Sequence, residues 1–117
     1  MTAVLVIGFD PAAIPGVDTE AINEAVARGQ ARFETMGIEA DLCTVSLDDT
    51  AEGKIVYALT SKDYECVVIG GGIRQPEPLL EFFENVVNLI RQHAPTAAIA
   101  FNTGPEDSAD AAARWLR

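Results

Sequence analysis

The sequence predicts a three-layer α/β fold: a four-stranded parallel sheet in the order 2-1-3-4 with helices on both faces. Three observations carry that prediction. Short apolar runs alternate four times with longer stretches of helical periodicity. The first apolar run, Ala3 to Phe9, is continuous and β-branched, as expected of a strand covered on both faces. Finally, 117 residues with 49% hydrophobic and 22% charged composition fit one globular domain, residues 1–117, with an independent core.

The elements follow in order. After the first strand, Asp10 to Val17 is a loop punctuated by Pro11, Pro15 and Gly16. Asp18 is the expected N-cap of the first helix, with Glu20 in its first turn. Ile22, Ala25, Val26, Gly29, Phe33 and Met36 then recur at helical spacing, and Gly37 supplies the stop. Gly29 lies on that stripe, so it predicts close approach to the sheet rather than a break.

Ala40 to Leu47 alternates more than the first run, which suits an edge strand with one wetter face. Asp49 to Glu52 resembles a capping box opening a second helix that runs to about Thr60. Cys66 to Ile69 is the third strand and ends in Gly70, Gly71 and Gly72. Pro76 and Pro78 mark the start of the third helix, because proline is tolerated in a first turn. Ala97 to Phe101 forms the fourth strand, and Ala109, Ala112, Ala113 and Leu116 trace the last helix.

Right-handed crossovers with one reversal after the second strand produce the order 2-1-3-4, a truncated flavodoxin-like sheet. The first and last helices then share one face, and the second and third share the other. Cys43 and Cys66 fall on strands separated by the first strand, too far apart for a disulfide. Both are expected to be buried and reduced.

Charge narrows the function classes. Eighteen acidic residues against eight basic ones leave a net charge of −10. That field disfavours nucleic acid and anionic membrane surfaces as partners. The N-terminal run has no basic flank and is too short for a signal segment, so a cytoplasmic location is expected. His93 is the single histidine and is expected at the C-terminus of the third helix. With both cysteines in strands, no Ser-His-Asp or Cys-His constellation assembles, and no zinc-ligand set is present.

Ligands in open α/β sheets bind beyond the carboxyl ends of the strands, where the strand order reverses. That rule brings together Gly8-Phe9-Asp10-Pro11, the run Gly70-Gly71-Gly72-Ile73-Arg74, and Asn102-Thr103-Gly104. The candidate ligand-binding residues are therefore Asp10, Gly70, Gly71, Gly72, Arg74, Asn102, Thr103 and Gly104. Glycine amides and the Arg74 guanidinium suit a small ligand bearing a phosphate or carboxylate. Two readings stand for the glycines, an anion cradle or a plain corner. Asp10 likewise either orients a ligand or opens a turn before Pro11.

A competing function class is a non-enzymatic interaction module. In the third helix Leu79, Leu80, Phe82, Phe83, Val86, Val87, Leu89 and Ile90 cover an arc wider than one sheet-facing stripe needs. The excess is expected either to form a twofold dimer through Phe82, Phe83, Val86 and Val87 or to be covered by neighbouring helices.

Several segments carry resemblances. VLVIGFDP, DLCTVSL, CVVIGGGIR and the HAPTAAIAFNTGPED pattern resemble a small bacterial family of α/β proteins; this implies the fold and brings no activity with it. The run Val67 to Ile73 is similar to the strand and Gly-Gly turn of cobalamin-binding domains. Their cobalt-ligating histidine has no counterpart in GFDPAAIPG. Asp10 and Thr103 resemble the acidic residue and the Ser/Thr of response-regulator receivers, but Gly70 stands where the phosphoacceptor aspartate would be.

Overall fold

The computed structural model describes residues 3–10, 12 and 16–116. Pro11 and Pro15, expected to punctuate the first loop, lie outside the described residues. Strand β1 (Ala3–Phe9) leads to helix α1 (Thr19–Thr35), followed by β2 (Glu39–Val45), α2 (Ala51–Ser61) and β3 (Cys66–Ile69). A four-residue helical turn, α3 (Gly71–Arg74), and a 3-10 turn (Glu77–Leu79) precede α4 (Leu80–His93). Strand β4 (Ala98–Phe101), a second 3-10 turn (Pro105–Asp107) and α5 (Ser108–Ala113) complete the chain.

The sheet is wholly parallel in the order β2-β1-β3-β4, as the periodicity predicts. Phe9 pairs with Val45 on one side, and Ile7 pairs with Ile69 on the other. Side chains alternate across the sheet. Leu5, Ile7, Cys43, Val45, Val67 and Ile69 meet Ile55 and Leu59 of α2 and Val86 and Ile90 of α4. Val4, Val6, Cys66, Val68 and Ala100 meet Phe33 of α1 and three alanines of α5. The two cysteines are thus buried on opposite faces with β1 between their strands. Burial pushes both thiols up, Cys66 to about 11.

Local chemistry accounts for the ends of α1. Asp18 accepts a hydrogen bond from the Ala21 amide at 3.1 Å, and Gly37 takes the left-handed conformation, φ +73°, beyond the helix.

Other boundaries differ from expectation for identifiable reasons. β2 ends at Val45 rather than Leu47, because the Asp48 amide bonds Ser46 O and turns the chain, leaving Leu47 exposed. The expected Asp49 capping box does not form. Asp48 instead accepts from the Thr50 amide and hydroxyl, and Thr50 is the N-cap residue of α2. Pro78 lies in the 3-10 turn, and the long helix begins at Leu80. Gly29 does make a close approach, but to the loop after β4. A Cβ there would stand 2.2 Å from the Pro105 carbonyl oxygen.

Part of the wide apolar arc of α4 packs within the chain, while Phe82, Phe83 and Val87 stay half-buried. Phe82 stacks on Phe9 at 5.6 Å, Phe83 meets Phe101 edge-on at 5.7 Å, and Val86 is fully buried. Leu80 is the large apolar residue of α4 that remains exposed.

Candidate binding crevice

The carboxyl ends of β1 and β3 diverge toward opposite neighbours, and a cavity of about 470 Å³ opens there on the α1 side of the sheet. Its walls come from four places. The sheet supplies Val6, Gly8, Leu42 and Thr44, and α1 supplies Ile22, Val26, Gly29 and Phe33. The turn after β3 contributes Gly70, Gly71, Gly72 and Gln75. The loop after β4 contributes Asn102, Thr103, Gly104 and Pro105.

Six of the sequence-predicted residues therefore line one space: the three glycines of the β3 turn, Asn102, Thr103 and Gly104. Arg74 and Asp10 stand outside it. The Arg74 Nη2 donates to Asn102 O at 3.0 Å, and its guanidinium lies 5.7 Å from the centre of the Phe101 ring. It does not turn toward Glu77. Asp10 accepts from the Ala12 amide at 3.0 Å, the turn-forming role of an aspartate at a strand end.

Hydrogen bonds organise the rest. Asn102 is 3% exposed; its Oδ1 accepts from the Gly71 amide and its Nδ2 donates to Ser108 Oγ, each at 2.8 Å. This buried side chain ties the β3 turn to the start of α5 and holds the Gly71 N–H inside the protein. The remaining turn bonds are helical: Ile73 and Arg74 donate to Gly70 O, and Gln75 donates to Gly71 O. The run of glycines is thus the first turn of α3, and it packs tightly. A Cβ on Gly71 would come within 3.3 Å of Thr103 O.

Thr103 is held from below. Its amide, its hydroxyl and the Gly104 amide all donate to the Asp107 carboxylate. Partial burial works against ionisation of Asp107, but these bonds outweigh it and hold the carboxyl below its ordinary range.

Residues outside the candidate binding set complete the site: Thr44, Leu42, Ile22, Val26, Phe33 and Gln75, together with Gly8, whose segment the sequence places at this crevice. A glycine interrupting a β-branched strand marks a place where something else comes close. The α1 residues carry no such signal, because their spacing is that of any helix covering a sheet.

The described lining residues bear no charged side chain. Among the described residues, no group of three or more His, Cys, Asp or Glu is arranged to hold a metal ion. No described helix is long and apolar enough to cross a membrane.

No family model matches the chain, and no curated protein is similar to it. Among solved structures it is similar to one described as "putative lipoprotein from Peptoclostridium difficile 630 (fragment)", with 15% identity and a TM-score of 0.55. The match covers 86% of this chain and 72% of that one. At that identity the likeness concerns the fold alone.

Proposed function

We propose that this chain is a small-molecule-binding module whose ligand sits in the crevice between α1 and the carboxyl ends of the sheet. The carrying observation is Gly8. It lies inside a regular strand, pairs with Thr44, and is not among the glycines with positive φ. Glycine there costs roughly 0.5–1 kcal/mol relative to alanine, so the backbone does not call for it. A Cβ on Gly8 would meet nothing within 4 Å, because the cavity lies above it. Gly104, extended at φ −168°, borders the same space and also has nothing within 4 Å.

Two further points support this reading. The crevice occupies the position where open α/β sheets take their ligands. Its volume falls within the roughly 300–1,000 Å³ of small-molecule sites.

A thermal-shift screen of metabolite-sized compounds tests the proposal, run on the wild type and on Gly8→Leu. Ligands of the crevice raise the melting temperature of the wild type by mass action and leave the filled variant unmoved. A compound set that shifts both proteins equally, or neither, counts against a ligand in this crevice.

A further inference from the structure

The crevice also constrains what it would hold, and this step rests on the binding proposal above. We infer that the ligand is uncharged and mainly apolar, with its polar end at the mouth.

The interior wall is made chiefly of Val6, Val26, Phe33 and Ile22, with the neutral Thr44 side chain and bare backbone at Gly8 and Gly104. None of these offers a counter-charge. Two groups that suit an anion do not face the space: the Gly71 amide is taken by Asn102 Oδ1, and Arg74 stands outside the cavity with its Nη2 on Asn102 O. An ionised group carried into such a space loses water and gains no partner, which costs far more than a hydrogen bond. The net charge of −10 adds long-range repulsion of anions. A cation fares no better inside, because no carboxylate lines the described wall.

Of the polar side chains in the lining, Asn102 and Ser108 are buried and bonded to each other, Gln30 and Thr44 are half-buried, and three others reach solvent. Asn23, Gln75 and Thr103 are exposed, whereas Val6 and Phe33 are buried. A ligand that places its hydrocarbon part over Gly8 and its hydroxyl or carbonyl among these three matches the gradient from wall to mouth. The sequence alone points to an anion at the same crevice, so the two expectations differ in a measurable way.

The test uses three probes of equal chain length: 1-octanol, octanoate and octylamine, titrated into the isotope-labelled full chain at about pH 8. Amide shifts of Gly8, Val26, Thr44 and Gly104 report the site. The expected result is binding of 1-octanol at least about tenfold tighter than either ion, abolished in Gly8→Leu. Should Gly8→Leu fail to fold, Gly104→Val fills the cavity from the loop after β4 and serves the same purpose. Octanoate or octylamine binding as tightly as the alcohol at these amides overturns the neutral class and leaves the binding proposal standing. If no probe moves these amides in the folded wild type, the apolar class falls, and the binding proposal stands or falls on the metabolite screen.

Discussion

The two faces of the sheet are built to different standards. On the α2/α4 side, large branched and aromatic residues interlock: Ile7, Ile55, Leu59, Ile69, Ile73 and Ile90 are all at most 2% exposed. On the α1/α5 side the helix partners are alanines and one phenylalanine, and the first half of α1 covers a cavity. The same strands serve both faces. The difference lies in what the helices bring, so one face supplies most of the apolar burial while the other keeps room.

That contrast predicts unequal costs for removing methyl groups. Ile55→Ala, in the close-packed layer, should destabilise by about 2–5 kcal/mol, because a cavity replaces buried contacts. Val26→Ala, where space already exists and the side chain is half-buried, should cost about 1 kcal/mol or less. Urea denaturation of the two variants measures both. Equal losses would mean that α1 closes onto the sheet in solution.

Two glycines sharpen the same comparison at smaller scale. Gly29 sits where α1 crosses the loop after β4, and an added methyl would collide with the Pro105 backbone. Gly29→Ala should destabilise by about 1–3 kcal/mol through strain. Gly8→Val should be neutral or stabilising by up to roughly 1 kcal/mol, since a β-branched residue suits a strand and the space is open. A stability loss at Gly8 matching that at Gly29 would show that the crevice is closed.

The legibility of the sequence divides along the same line. Sheet order and the pairing of helices on faces follow from alternation and handedness, which are properties of the whole chain. The crevice location follows from topology, which is why the sequence places the β3 turn and Asn102 to Gly104 there. The sequence also points to Arg74, because it follows the glycines. A four-residue helical turn instead rotates it toward β4, where Asn102 O and the Phe101 ring receive it. Asn102 shows the converse: its place was predicted, but its buried bonds to Gly71 and Ser108 depend on residues brought together only by folding. The aromatic residues of α4 illustrate a related limit. Periodicity counts apolar residues on an arc, while the partners of Phe82 and Phe83, namely Phe9 and Phe101, come from strand ends that only folding brings near.

The smallest expected effect concerns the rims, where charges fasten each face. On the α1 side Arg28 pairs with Glu106 and Arg32 with Asp110, all well exposed. On the α2 side Lys62 bridges Glu39 and Asp41, and the hydroxyl of the buried Tyr64 donates to the same Asp41 carboxylate at 2.7 Å. The second arrangement is the more cooperative, because one carboxylate serves an ammonium and a phenol together. Hydrogen bonds from Lys62 and Tyr64 hold Asp41 below its ordinary range despite partial burial. A carboxyl depressed in the folded state contributes stability above its unfolded value and loses it as pH falls through the folded one. Asp41→Asn should therefore lower stability at neutral pH by less than about 1 kcal/mol, given how exposed the pair is. The gap between wild type and variant should narrow as pH drops through and below the ordinary carboxylate range, and it should shrink with added salt at neutral pH. Denaturation curves at several pH values test the sign. A gap that widens on acidification would mean that Asp41 is not stabilised as an anion, and that the packing beneath, rather than the charged rim, fastens α2 to β2.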